Sequence, residues 1–144
     1  MTGQQRFMSA FRGSFTSALR WHQLDALWQA LRTQDMEGWY IYAVGEGPPS
    51  KPAGNLELDR FIDEINELLR REHAEDYCGI VYADNLACPS FIKIYDPNNL
   101  GVSCGYSDNP PLPGWVLSRL PPCELSAMPL PGNRKRWWRR LFAR

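Results

Sequence analysis

The sequence predicts an α+β fold, a two-layer sandwich in which a mostly antiparallel four-stranded sheet carries one long helix, with an N-terminal helical segment beside it. Three observations support this: a β-hairpin pattern over residues 76–100, an amphipathic helix over 56–73, and short aromatic-rich runs next to Gly/Pro loops. Of the 144 residues, 44% are hydrophobic and 22% are charged. This composition can form one hydrophobic core and argues against wholesale disorder.

The hairpin is the clearest local pattern. Apolar and aromatic runs at 77–83 and 91–96 flank a segment that contains Asp84, Asn85 and Pro89. Asp and Asn side chains bond nearby backbone groups in turns, and Pro fixes the backbone angle φ. The two runs are therefore predicted to pair as antiparallel strands.

Alternation along the second run separates two faces of the sheet. Ile92 and Ile94 alternate with Phe91, Lys93 and Tyr95, and successive strand residues point to opposite faces. The apolar side is expected to receive the long helix. The aromatic side with Lys93 is expected to meet the N-terminal helices or to stay partly open.

The helix over 56–73 has the strongest periodicity in the chain. Asn55 is its predicted N-cap, and Arg70 and Arg71 near its end suit the helix dipole. Apolar residues repeat at helical spacing and predict one buried face, made of Leu58, Phe61, Ile62, Ile65, Leu68 and Leu69.

Two further strands are predicted at 39–44 and 115–120. A loop with three glycines and three prolines follows the first strand, over 45–54. Pro121 and Pro122 follow the second strand, and since proline cannot donate to a ladder, an edge position is expected. Together with the helix, these strands define a single domain over 21–122.

Residues 1–20 are predicted to be an amphipathic extension with Phe11 and Phe15 on its apolar stripe, and both are candidate binding residues. The segment is rich in Arg and hydroxyl residues and lacks acids, so a cleaved targeting peptide is the alternative. A second apolar stripe starts at Trp21 on the opposite side, which predicts a helix break near 21–23. Gly38 is the predicted end of that helix.

The C-terminus differs sharply in charge from the rest. A Pro-rich linker is predicted over 123–133, followed by a basic aromatic tail over 134–144 with six basic and no acidic residues. The first 133 residues hold 10 basic and 16 acidic ones, although the whole chain is formally neutral. The candidate binding residues in the tail are Arg134, Lys135, Arg136, Trp137, Trp138, Arg139 and Arg140.

Four partners suit such a tail: an acidic surface on another protein, an anionic membrane, nucleic-acid phosphates, or the chain's own acidic body. Nucleic acid is disfavoured because the body is acidic and no RNA-recognition signature is present. The sequence leaves the oligomeric state open.

Little points to catalysis. Cys78, Cys88, Cys104 and Cys123 include no close pair of the kind that zinc sites use, so neither a metal site nor a cofactor is predicted. Cys104, on a glycine-rich loop, is a weak catalytic candidate with a histidine as its conceivable base.

The leading prediction is therefore a small non-catalytic binding or accessory protein that engages another protein. The alternatives are a peripheral membrane protein anchored by its tail and a small thiol enzyme centred on Cys104. A cytoplasmic location with reduced thiols is expected, because no secretory segment or membrane-spanning run occurs in the sequence.

Overall fold

A computed structural model describes residues 2–98, 111–125 and 130–142. It confirms the α+β class and the largely antiparallel sheet with the long helix packed on it. The elements in these residues are α1 (Gly3–Phe11), β1 (Thr16–Ser17), α2 (Trp21–Thr33), β2 (Tyr40–Ala43), α3 (Asn55–Glu72), β3 (Val81–Ala83), β4 (Phe91–Ile94), β5 (Trp115–Ser118) and α4 (Gly132–Phe142).

The sheet has the strand order β1-β3-β4-β5-β2, and all neighbouring strands are antiparallel. The four predicted strands are present over shorter ranges, and β1 is an addition that the sequence did not predict. The expected edge position of the strand at 115–120 is wrong, since β5 lies between β4 and β2. Its pairing ends at Ser118, so Pro121 and Pro122 lie beyond the ladder and interrupt nothing.

The predicted turn residues close the hairpin between β3 and β4. The Asp84 carboxylate accepts the backbone N–H groups of Asn85, Ser90 and Phe91 at 3.0, 2.9 and 3.1 Å. The Asn85 side chain accepts two further backbone N–H groups of the same turn, at 2.9 and 3.0 Å. Side chains thus satisfy backbone donors that the ladder leaves unpaired, as the sequence predicted.

The main core lies between one face of the sheet and helices α2, α3 and α4. The predicted apolar face of α3 is fully buried there, from Leu58 to Leu69. The predicted N-cap is off by one residue, because Glu57 accepts the backbone N–H of Gly54 at 3.1 Å and Gly54 becomes the cap. Helix α2 ends at Thr33, before the predicted stop at Gly38.

Helix α1 covers part of the other face. Phe7 is fully buried and packs on Phe91, with ring centroids 5.3 Å apart. The helix break falls at residues 12–20 rather than at 21–23, because the chain crosses the sheet edge there as β1. The backbone N–H of Ala18 donates to the Val81 carbonyl at 2.8 Å and fixes this crossing, so α1 and α2 lie on opposite faces of the sheet.

Candidate functional site

Helix α4 packs its apolar side on the protein's own main core. Trp137 and Leu141 are 8% and 5% exposed. The Trp137 ring lies 5.6 Å from the Trp115 ring, and Trp138 lies 6.4 Å from Phe61. The aromatic and aliphatic face predicted for the C-terminal helix is therefore turned towards β5 and α3.

Arg134 joins α4 to two other elements through a buried ion cluster. Its Nε and Nη2 atoms donate to the two Asp96 carboxylate oxygens at 2.7 and 2.8 Å. Its Nη1 and Nη2 atoms donate to the two Glu72 oxygens at 2.9 and 3.1 Å. Glu72 ends α3 and Asp96 follows β4, so one guanidinium connects three elements with bidentate geometry.

The cluster shifts the ionisation of its members. Hydrogen bonds from Arg134 lower the pKa of Glu72, and Asn98 adds to this effect by donating to Glu72 at 2.7 Å. The hydrogen bonds to Asp96 raise the pKa of Arg134. Arg134 was a candidate binding residue, but it is 5% exposed and its guanidinium donates to Asp96 and Glu72 inside the fold.

The other basic residues of α4 form what we call the basic ridge, in which three residues are exposed and Lys135 is half-buried: Lys135, Arg136, Arg139 and Arg140. The Arg140 Nη2 atom lies 3.8 Å from a Glu64 carboxylate oxygen, and the two side chains are 69% and 32% exposed. Within the described part of the chain, no ion pair engages the other three residues of the ridge. The ridge is thus a patch of positive charge held on a docked helix.

Phe11 and Phe15, the candidate binding residues of the N-terminal segment, lie on either side of Lys93. The Lys93 Nζ atom is 4.1 Å from the Phe11 ring centroid and 4.0 Å from that of Phe15. Both distances are within the range of cation–π contacts. The half-buried position lowers the pKa of Lys93 through desolvation.

A cavity of about 470 Å³ opens next to Lys93 on this second face of the sheet. Its walls include Tyr82 and Tyr95, whose rings meet edge to face at 5.7 Å. Burial raises the pKa of Tyr95. The sequence prediction that Lys93 and aromatic residues share a partly open face thus corresponds to a defined cavity.

Three of the four cysteines lie in the described part of the chain. Cys78 is buried, which raises the pKa of its thiol, while Cys88 is exposed and Cys123 is half-buried, and all three are free. Cys104, the weak catalytic candidate, lies outside the described residues. In residues 2–98, 111–125 and 130–142, no group of three or more His, Cys, Asp or Glu side chains could hold a metal ion.

Sequence reasoning missed the acceptors of Arg134 and the cavity volume. The contrast between an acidic body and a basic tail was the available signal for the ion cluster, and it suggested docking without identifying Glu72 or Asp96. None of the helices in the described part of the chain has the length and apolarity needed to cross a membrane.

The fold and these sites define a small α+β domain that carries a docked basic helix and a lysine-containing aromatic cavity. Comparison with known proteins gives no match, whether to a family model, a curated protein or a solved structure.

Proposed function

We propose that this chain is a non-catalytic binding protein that engages an acidic surface of another protein through the basic ridge of α4. The observation that carries the proposal is that the two sides of this helix have different roles. Arg134, Trp137 and Leu141 hold α4 on the domain, while the ridge contributes little to that docking. Apart from the long Arg140–Glu64 ion pair, the described contacts leave the ridge side chains available to bind another molecule.

A protein surface suits the ridge better than a membrane does. Interfacial helices bind bilayers by inserting an apolar face beneath a basic one. Here Trp137 and Leu141 are occupied by the protein's own core, so insertion would require α4 to leave it. An acidic protein patch can be bound without that cost.

Nucleic acid fits the charge distribution less well. The first 133 residues carry 16 acidic against 10 basic groups, and this excess of negative charge repels phosphates beyond the ridge itself.

We also propose a cytoplasmic location, supported by the free thiols of Cys78, Cys88 and Cys123.

The test compares charge reversals of equal size. One variant carries Lys135→Glu, Arg136→Glu, Arg139→Glu and Arg140→Glu, and the control carries Arg6→Glu, Arg12→Glu, Lys51→Glu and Arg60→Glu at exposed positions elsewhere. Affinity capture from the source cells with quantitative mass spectrometry identifies retained proteins, and binding of the purified partner is then measured. We expect wild type and control to bind it alike and the ridge variant to lose at least about tenfold in affinity, which corresponds to about 1.4 kcal/mol.

Equal binding by the ridge variant and the control would contradict the proposal. Phosphatidylserine vesicles and a single-stranded RNA serve as two further probes. Tighter ridge-dependent binding to either of them than to any captured protein would assign the ridge to a membrane or to nucleic acid instead.

A further inference from the structure

Among the described residues, those packed on the second face of the sheet leave a cavity over part of it. Helix α1 covers the side where Phe7 packs against Phe91. The remaining volume lies over β3 and β4, below the turn that joins α1 to β1. The described residues that line it are Gly13, Phe15, Gly79, Ile80, Tyr82, Lys93, Tyr95 and Pro111.

Among the described residues that line this cavity, the charge is unbalanced. Lys93 is the cationic one, and none of them is acidic. In the part of the chain that the structure describes, Lys93 forms no ion pair, and its contacts are the faces of Phe11 and Phe15. A half-buried ammonium that has lost water without gaining an anion is energetically unfavourable, so the cavity attracts a negative group.

The two tyrosines supply further donors beside that ammonium. On the strand pair β3–β4, Tyr82 is the register partner of Lys93, so both side chains lie on one face. Tyr95 follows two positions later on that face and touches Tyr82 edge to face. No hydrogen bond engages either phenol hydroxyl among the described residues, and each can donate to an oxyanion.

The other described residues of the lining are mostly apolar or aromatic, and they indicate the ligand class. Phe15, Ile80, Pro111 and the tyrosine rings surround the lysine, and a volume of about 470 Å³ lies within the range of small-molecule sites. One lysine suits a single negative charge better than a phosphate dianion. A cationic ligand is disfavoured, because Lys93 already occupies the faces of Phe11 and Phe15 and would repel it.

We propose that this cavity binds a small monocarboxylate with an aromatic or aliphatic body. The carboxylate lies against Lys93 Nζ and accepts hydrogen bonds from the Tyr82 and Tyr95 hydroxyls, while the apolar body lies against Phe15, Ile80 and Pro111. None of the described residues that line this site belongs to the basic ridge. The proposal is therefore tested independently of the function proposed above.

The first test uses the unmodified protein and a matched ligand pair. Isothermal titration calorimetry compares 4-phenylbutyrate with its neutral amide, and decanoate serves as the aliphatic acid. We expect at least one acid to bind with a Kd below about 1 mM and the amide to bind at least about tenfold more weakly. Failure of both acids to saturate, or equal affinity of acid and amide, would overturn the proposal.

The second test locates the site. Lys51, Lys93 and Lys135 are the lysines of the chain, so ¹³C reductive methylation labels few side chains, and each can be followed by NMR. We expect the acid to shift the Lys93 signal and to leave those of Lys51 and Lys135 in place. Equal shifts at all of them would indicate adventitious anion binding and would refute the site.

Variants then separate charge from shape. Lys93→Met should weaken binding of the acid by about tenfold or more and leave binding of the amide unchanged, since only the acid uses the ammonium. Lys51→Met is the control, because Lys51 is exposed and distant from the lining residues in the sequence, and it should bind as wild type does. If Lys93→Met fails to fold, the ligand pair and the NMR shifts still decide the question.

Discussion

Arg134 holds helix α4 on the domain through charged hydrogen bonds. Three of its nitrogen atoms donate four hydrogen bonds to Glu72 and Asp96 at distances between 2.7 and 3.1 Å, so four of its five N–H donors are paired although its side chain is buried. Buried ion pairs often add little net stability, yet removal of one partner strands the other charge. The cluster therefore specifies where α4 docks more than it strengthens the fold.

The same cluster makes stability depend on pH through Glu72. Its pKa is lowered in the folded protein by Arg134, so its contribution is fully present above the unfolded-state pKa of about 4.3 and is lost as pH falls through the folded value. We predict that wild type loses free energy of unfolding below about pH 4.3 more steeply than the Glu72→Gln variant does. Urea denaturation at a series of pH values, followed by tryptophan fluorescence, measures both slopes.

Glu67→Gln is the control for that experiment. Glu67 lies on the same helix, and its side chain is 71% exposed where it pairs with Arg71, so this variant should keep the wild-type slope. If Glu72→Gln and Glu67→Gln titrate alike, Arg134 is not paired with Glu72 in solution, and the docking of α4 by this cluster is wrong.

Among the elements, α1 departs most from its sequence-based picture. Residues 1–20 were predicted to be an extension, and Phe7 of α1 is instead fully buried against the second sheet face. We predict that Phe7→Ala lowers the free energy of unfolding by about 3 kcal/mol, the usual cost of truncating a buried aromatic residue. Arg6→Ala, at an exposed position of the same helix, should change it by less than about 0.5 kcal/mol. Equal stability of the two variants in urea denaturation would show that α1 is dispensable for the domain.

The elements also show what a sequence pattern can and cannot predict. Alternation located β3 and β4, and the turn chemistry of Asp84 was read correctly, because these interactions are local. Strand β1 escaped prediction because two residues cannot display a period. The cover over each apolar face escaped prediction too, since Arg134 finds Glu72 at a separation of 62 residues and Asp96 at 38, and periodicity identifies an apolar face without identifying what packs on it.

For the candidate sites, the same limit separates residue type from geometry. The placement of Lys93 among aromatic residues followed from strand alternation. The contacts of Lys93 with Phe11 and Phe15 could not be predicted in this way. They depend on where the chain passes from α1 to β1 over the sheet. The basic ridge was visible as composition, but which of its residues are buried depends on the rotation of α4 about its axis.

For the whole molecule, the two faces of one sheet are the common support. Helices α2, α3 and α4 share the core on one face of the sheet, and α1 covers part of the other face. Strand β5 is buried along its whole length, whereas β3 and β4 border the cavity next to Lys93. The chain is formally neutral, with an acidic excess in residues 1–133 and a basic C-terminal segment that docks on them. Of the six basic residues in that segment, Arg134 is buried, and most of the others face outward.

This arrangement predicts that α4 unfolds together with the domain rather than as a tail. Trp137 and Leu141 belong to the same hydrophobic core as Phe61 and Trp115, so opening α4 would expose the centre of that core. Hydrogen exchange measured by mass spectrometry against urea should give the most protected amides of 132–142 and of 55–72 the same opening free energy, within about 1 kcal/mol.

Trp137→Ala should lower the protection of α4 by more than Trp138→Ala does, because Trp138 is only partly buried. Exchange of α4 at a much lower free energy than α3 would mean that the helix detaches on its own, and Trp137 and Leu141 would then be free to enter a membrane interface, as the alternative hypothesis requires.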